Sequence, residues 1–114
     1  MTIKLLIADR DTIMREGLKR ILEDEEDIVV VDEAADGYET LAKVRSYALD
    51  MIVSGLSMPG PHGIDLIRQI RRQAPDIPIL ILTMYDEKLF AVDAITAGAY
   101  GYISKESAST ELIV

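Results

Sequence analysis

Short apolar runs alternate along the chain with longer segments in which apolar residues recur every three or four positions. The runs have the pattern of buried β-strands, and the periodic segments have the pattern of amphipathic helices. The most apolar run, Ile79 to Leu82, predicts a central strand that is buried on both faces and closes at Thr83. Five strands are predicted in all: Ile3 to Ala8, Ile28 to about Ala34, Met51 to Ser54, Ile79 to Leu82 and Tyr100 to Ile103.

Amphipathic helices are predicted between these strands. The first begins near Thr12, after an acidic turn whose side chains can cap it. Its apolar stripe is Ile13, Gly17, Leu18, Ile21 and Leu22, and its polar side contains Arg15, Glu16, Lys19, Arg20 and Glu23. Further helices are predicted from Tyr38 to Ala48, from Leu66 to Ala74, from Asp86 to Gly98, and from Ser109 to the last residue, Val114.

Strands that alternate with helices of this length pair in parallel through right-handed crossovers. The sequence therefore predicts an α/β fold, a doubly wound five-stranded parallel sheet with the flavodoxin-like order 2-1-3-4-5. Residues 1–114 are expected to form one domain with the last helix truncated. The carboxyl ends of strands one, three, four and five then surround a common mouth, where ligands bind in such sheets. The residues placed there are Asp9 with Arg10, Gly55, Thr83 and Lys105.

Composition narrows the range of functions. Twelve Lys and Arg against twenty Asp and Glu give a formal net charge of −8, which repels phosphate backbones and argues against DNA or RNA binding by this segment alone. The chain has no cysteine, so its sequence excludes disulfides and thiolate metal sites. The first apolar run is too short for a signal peptide or a membrane span, and a soluble, cytoplasmic protein is expected.

Four segments resemble, in order and in spacing, the receiver domain of two-component response regulators. They are Leu6-Ile-Ala-Asp-Arg-Asp11, Asp50-Met-Ile-Val-Ser-Gly-Leu-Ser-Met-Pro-Gly60, Leu80-Ile-Leu-Thr-Met-Tyr-Asp86 and Ala97-Gly-Ala-Tyr-Gly-Tyr-Ile-Ser-Lys105. The resemblance covers the whole chain, and the last three segments are most similar to the subfamily with a LuxR-type helix-turn-helix output domain. It implies a signalling module rather than an enzyme. The implied partners are a histidine kinase and, through an output domain absent from this chain, DNA.

The resemblance also implies a site for phosphoryl transfer. Family members carry the phosphoryl group on an aspartate that ends strand three, with Mg²⁺ held by that aspartate and by acids after strand one. Asp9 matches the first acidic position, Arg10 falls at the second, which is a metal ligand, and Gly55 falls at the phosphoacceptor position. The switch positions also match: the hydroxyl, the phosphate-contacting lysine and the aromatic residue that rotates on activation are Thr83, Lys105 and Tyr102.

A glycine cannot carry a phosphoryl group, and its neighbours are poor replacements. Ser54 is expected to point away from the mouth because side chains alternate along a strand, and an ester at Ser54 or Ser57 lacks the reactivity of an acyl phosphate. His62 is a lone loop histidine of the kind usually found in solvated turns. We therefore predict a degenerate receiver that acts without phosphorylation as a protein-interaction module. We expect it to use no cofactor and to have lost Mg²⁺ binding.

Two alternatives remain open on the sequence alone. One is an ordinary phosphorylatable receiver with an inactivating Asp-to-Gly substitution at position 55; Arg10 counts against it, because one inactivating change would not require a second. The other is a flavin-binding or hydrolytic α/β enzyme. The chain has neither a glycine-rich phosphate loop nor the histidine-containing triad that such an enzyme would need.

The last predicted helix is expected to cover one face of the sheet. Because it stops at Val114, apolar surface on the side of helix one and strand five would remain in water. The sequence therefore predicts a homodimer or a larger assembly, in which another copy covers that surface or terminal segments are exchanged.

Overall fold

The strands and helices lie close to their predicted positions. The computed structural model describes residues 2–55, 58–61, 63–83 and 101–104. The strands are β1 (Ile3–Ala8), β2 (Ile28–Ala34), β3 (Met51–Gly55), β4 (Ile79–Thr83) and β5 (Gly101–Ser104), and the helices are α1 (Thr12–Glu23), α2 (Gly37–Ser46) and α3 (Gly63–Gln73). β3 extends one residue beyond its predicted end, and α2 ends two residues earlier than predicted. Within the described part of the chain, no helix has the length and apolar character needed to cross a membrane.

The sheet is parallel, and its strands lie in the order β2-β1-β3-β4. The prediction of an α/β parallel sheet with the order 2-1-3-4 is therefore confirmed. The backbone of Gly101–Ser104 pairs in parallel with β4, so that Tyr102 lies opposite Ile81. The helices predicted from Asp86 and from Ser109 lie outside the described residues.

Two apolar cores form because neighbouring residues of a strand face opposite sides of the sheet. One side packs against α1, and the other packs against α2 and α3. The core on the α1 side includes Leu5, Ile7, Leu18, Leu22, Val30 and Val53. The core on the other side includes Leu6, Leu41, Ile52, Ile67, Ile70, Ile79 and Ile81. Full burial of each large aliphatic side chain contributes about 1.5 to 3 kcal/mol, so the sheet is held on both faces.

The face that α1 presents to the sheet differs from the predicted stripe. Leu18 and Leu22 are buried and Met14 is partly buried, whereas Ile13 is 80% exposed. Met14, Leu18 and Leu22 are spaced by four residues and lie along one line of the helix. Ile13 falls about 100° away from Met14 around the axis, because one residue advances a helix by that angle. The expectation that Ile13 belongs to the packed stripe is therefore wrong.

β2 contains an irregularity that matters for the site. Leu5 pairs with Val30, but the next residue of β1, Leu6, pairs with Asp32, so Val31 is an extra residue in the edge strand. Such a β-bulge changes the faces on which the following side chains lie. Glu33 faces α1, where it meets Arg15, and Asp32 faces α2, where it meets Lys43.

Candidate functional site

The carboxyl ends of the central strands bring several of the predicted site residues together. Ala8 of β1 pairs with Ser54 of β3, so Asp9 comes immediately beside Gly55. Gly55 pairs in turn with Leu82, the residue before Thr83 at the end of β4. Tyr102 lies on β5, and Lys105 lies outside the described residues.

Hydrogen bonds from neighbouring elements hold Asp9 in place. Its backbone N–H donates to the carbonyl of Ala34 on β2 at 2.9 Å. Its own carbonyl accepts a hydrogen bond from Nη1 of Arg15 at 2.5 Å, and its Oδ1 accepts one from the backbone N–H of Asp11 at 2.9 Å. Only 1% of Asp9 is exposed. The position of this carboxylate is therefore set by β2, by α1 and by the turn that follows β1.

Gly55 faces this carboxylate directly. A Cβ atom at position 55 would lie 2.7 Å from Oδ2 of Asp9 and 3.2 Å from its Cγ. Carbon and oxygen atoms that are not bonded to each other do not approach so closely, so any side chain at position 55 requires Asp9 to shift. The carboxylate of Asp9 therefore lies against the position that the Cβ atom of any other residue at position 55 would take.

Arg15 is a site residue that the sequence interpretation missed. The helical pattern placed it on the polar side of α1, but only 14% of its side chain is exposed, and its Nε lies 3.2 Å from Oε1 of Glu33. The guanidinium therefore links α1 to β2 as well as to the carbonyl of Asp9. A basic residue six positions after Asp9 gives no sequence signal for this contact, because it depends on how α1 is placed over the sheet.

The charged residues in the turn between β1 and α1 have different roles. Oδ1 of Asp11 accepts hydrogen bonds from the backbone N–H groups of Ile13 at 3.0 Å and Met14 at 3.3 Å, which confirms the predicted helix cap. Arg10 is exposed and brings a positive charge to the same turn. Since Asp11 caps α1, Asp9 is the buried carboxylate that this turn supplies to the mouth.

Ser54 is buried and bonded to its neighbour in β3. It is 1% exposed, and its hydroxyl donates a hydrogen bond to the carbonyl of Gly55 at 3.0 Å. That Ser54 faces away from the mouth stays a prediction. Ser57 and His62 lie outside the described residues.

Comparison with known proteins assigns the family. The model of the response regulator receiver domain matches residues 5–114. This chain is a response regulator receiver domain. It is 37% identical over 111 residues to the response regulator UvrY of Escherichia coli, covering 97% of this chain and 51% of that protein. It is 40% identical over 112 residues to the oxygen regulatory protein NreC of Staphylococcus carnosus, covering 97% of this chain and 52% of that protein.

A solved structure supports the same assignment and the subfamily. The crystal structure of a LuxR-family two-component response regulator from an Aurantimonas species aligns with a TM-score of 0.93 and 39% identity. The alignment covers 99% of this chain and 81% of that one. This receiver is therefore of the LuxR type. It spans about half the length of the curated relatives that it matches.

The loop after β3 of this receiver is fixed to the start of α2. The backbone N–H of Gly37 donates to the carbonyl of Pro59 at 2.9 Å, and Met58 is buried in the core beside α2 and α3. A Cβ atom at position 37 would lie 1.8 Å from the carbonyl oxygen of Pro61, so only glycine fits there. The start of α2 and residues 58–61 of the loop therefore hold each other in place.

A second polar cluster joins β2 to α2 of the receiver. The backbone N–H of Glu33 donates to Asp32 at 2.7 Å, and this hydrogen bond is the main reason that the pKa of Asp32 is below its usual value. Partial burial acts in the opposite direction, while the hydroxyl of Tyr47 at 2.9 Å and Nζ of Lys43 at 3.3 Å add to the lowering. The bond to the Asp32 carboxylate raises the pKa of Tyr47 in turn.

Proposed function

We propose that this receiver acts as a regulatory protein-interaction module without phosphorylation at the end of β3. The observation that carries the proposal is the pair formed by Gly55 and Asp9. Position 55 has no side chain to accept a phosphoryl group, and the Asp9 carboxylate lies 2.7 Å from where the Cβ of an acceptor would stand. A replacement acceptor would need both a new side chain and a displaced Asp9.

The residues at the mouth also do not fit a magnesium ion. Mg²⁺ requires near-octahedral oxygen coordination and is usually bound by one or two carboxylates together with phosphate oxygens and water. Asp9 supplies one carboxylate, Gly55 supplies none, and Arg10 brings a positive charge to a position where the family has a ligand. We propose that this receiver does not bind Mg²⁺ at millimolar concentration.

The test uses acetyl phosphate with Mg²⁺ and intact-mass spectrometry. The unmodified chain is expected to gain no phosphoryl group. Gly55→Asp alone should gain little, because Asp9 must move and Arg10 still replaces a metal ligand. Gly55→Asp combined with Arg10→Asp should gain clearly more, since the two positions act as a unit and their effects should not add.

A matched control separates chemistry from steric change. Gly55→Asn with Arg10→Asp has nearly the same size and shape at position 55 but no carboxylate to phosphorylate, so its mass should not change. Amide NMR shifts near Asp9 should stay constant as Mg²⁺ is added to the unmodified chain. Saturable shifts centred on Asp9 contradict the magnesium proposal. Ready phosphorylation of Gly55→Asp alone favours an ordinary receiver that has lost its acceptor.

We infer that the whole protein regulates transcription through a LuxR-type DNA-binding segment and that a protein partner or a second copy controls it. Support comes from its resemblance to UvrY and NreC, which are named as a response regulator and an oxygen regulatory protein, and from a solved structure of a related regulator, RcsB, in complex with DNA. We also propose that β5 completes a five-stranded sheet in the order 2-1-3-4-5, on the basis of its backbone pairing with β4.

A further inference from the structure

The side chain of Arg15 joins three parts of the fold at the mouth of the sheet. Nη1 donates to the carbonyl of Asp9 at 2.5 Å, and Nη2 donates to Oγ1 of Thr12 at 3.2 Å. Nε faces Glu33 at 3.2 Å, and 14% of the Arg15 side chain is exposed. A guanidinium is suited to this arrangement because its donors project in a fixed planar fork.

Glu33 reaches Arg15 because of the bulge in β2. The extra residue, Val31, precedes the segment in which Asp32 faces α2 and Glu33 faces α1. Glu33 is 31% exposed at its side chain, so its ion pair with Arg15 is partly screened by water. The ion pair therefore orients the guanidinium more than it stabilises the fold.

The Asp9 carbonyl is the group through which Arg15 influences the mouth. This carbonyl belongs to the planar peptide unit that joins Asp9 to Arg10, so its direction sets the path by which the chain leaves β1. That path places the backbone N–H of Asp11, which donates to Oδ1 of Asp9 at 2.9 Å. With Oδ1 held in this way, Oδ2 lies 2.7 Å from the Cβ position of residue 55.

We propose that Arg15 is a positioning residue that acts through Asp9 to hold a carboxylate against the end of β3. The inference deepens the proposed function, because it identifies the side chain that keeps position 55 closed. Arg15 acts on position 55 indirectly. Its influence on that position passes through the Asp9 carbonyl, the Asp11 amide and the Asp9 carboxylate.

The first test measures hydrogen exchange at the Asp11 amide. Arg15→Gln should lower the protection of this amide about tenfold relative to the rest of the first turn of α1, because a hydrogen bond to a charged group is lost or lengthened. Glu33→Gln is the matched control, since it removes the charge of the ion pair while its amide oxygen can still accept the Arg15 Nε hydrogen bond and keep the guanidinium directed at the Asp9 carbonyl. In Glu33→Gln the Asp11 amide should keep its protection against exchange. In Arg15→Lys it should keep part of the protection that Arg15→Gln loses. Equal loss of protection in Arg15→Gln and Glu33→Gln overturns the proposal.

The second test measures coupling between residues that do not touch. Gly55→Ala should lower the free energy of unfolding, because its Cβ meets the Asp9 carboxylate. The loss should shrink to about half in an Arg15→Gln background and stay unchanged in a Glu33→Gln background, since distant and independent sites add. In an Asp9→Gly background the coupling to Arg15 should disappear. Additive effects of Gly55→Ala and Arg15→Gln would refute the positioning role.

The hydrogen-exchange test remains informative if Gly55→Ala fails to fold. Hydrogen exchange needs no change at position 55, and the coupling cycle needs no assignment of individual amides. Both concern the unphosphorylated chain, whereas the proposed function is tested by mass after incubation with acetyl phosphate. A negative result for Arg15 and a positive phosphorylation result are therefore separate outcomes.

Discussion

The stability of the receiver depends on the protonation state of Asp32. Its carboxylate accepts the Glu33 N–H, and its pKa is lower in the folded chain than its ordinary value of 3.8. A lowered carboxyl pKa means that the folded state favours the ionised form. The contribution of Asp32 is therefore complete above about pH 4 and is lost as the pH falls through the lowered value.

We predict that acid unfolding shows this dependence. Urea unfolding followed by circular dichroism should give a midpoint that falls between pH 5 and pH 2. Asp32→Asn should lower the urea midpoint at pH 7 and make its decrease between pH 5 and pH 2 less steep. Asp50→Asn is a control at an exposed acid, whose carboxylate accepts a hydrogen bond from the Lys4 N–H. An equal pH dependence of the urea midpoint in the unmodified chain and in Asp32→Asn would contradict this prediction.

Tyr47 is the donor of the hydrogen bond to Asp32, and its pKa shifts in the opposite direction. Its pKa is raised above the ordinary value of 10.0, mainly by the bond that its hydroxyl donates to Asp32. A raised pKa means that the folded state favours the neutral phenol. The contribution is present below about pH 10 and is lost as the pH rises through the raised value.

Ultraviolet titration of the tyrosines should show this shift. The phenol of Tyr47 should ionise later in the folded chain than in urea, and this late component should be missing from Tyr47→Phe. Tyr38→Phe serves as the comparison, because Tyr38 is 70% exposed. A late component that persists in Tyr47→Phe would assign the raised pKa to another tyrosine.

At the scale of elements, the start of α2 fixes the loop that follows β3. Gly37 donates its N–H to Pro59, and a Cβ at position 37 would lie 1.8 Å from the carbonyl oxygen of Pro61. Backbone atoms cannot move aside as easily as the end of a flexible side chain can. A methyl group at position 37 must therefore displace either the loop or the first turn of α2.

We predict that Gly37→Ala lowers the free energy of unfolding by about 3 kcal/mol, a value typical of forced overpacking. Gly17→Ala is the matched control in α1, since nothing lies within 4 Å of the added Cβ. It should raise the free energy of unfolding by about 1 kcal/mol, because alanine favours a helix interior over glycine. Chemical denaturation of both variants measures the two effects. Similar changes in the two variants would show that the contact with Pro61 is unimportant.

At the scale of the whole molecule, the expected homodimer stays a prediction. On the side of the sheet that faces α1, Leu5, Ile7 and Val53 are at most 2% exposed within the single chain. These residues therefore cannot form the interface that the sequence predicts. That interface would lie toward β5, whose side chains are not among the described ones.

Light scattering over a dilution series tests the dimer. The expected result is a mass that is twice that of one chain at high concentration and falls on dilution. Its physical basis is that parallel strands of this apolar character require cover on both faces. A chain that remains monomeric and unfolds cooperatively at every concentration contradicts the expectation.

The sequence determined the parts of this protein that depend on local pattern and chain order. Periods of two and of three to four residues located the helices and strands, because each period reports which positions of an element face a core. The order of strands and helices then predicted the parallel sheet, and with it the meeting of Asp9 and Gly55 at one edge. The sequence also predicted that the acidic turn before α1 caps this helix, because capping involves residues only two or three positions apart. The structure shows that the capping residue is Asp11.

Only the tertiary structure decided the contacts that depend on how these elements pack. A helical stripe covers a wide arc, so the sequence did not show that α1 leaves Ile13 exposed and turns Arg15 inward. The bulge that directs Glu33 toward Arg15 depends on the register between β1 and β2, which pattern alone does not specify. The distance of 2.7 Å between Asp9 and a Cβ at position 55 likewise appears only when β1 and β3 are paired side by side.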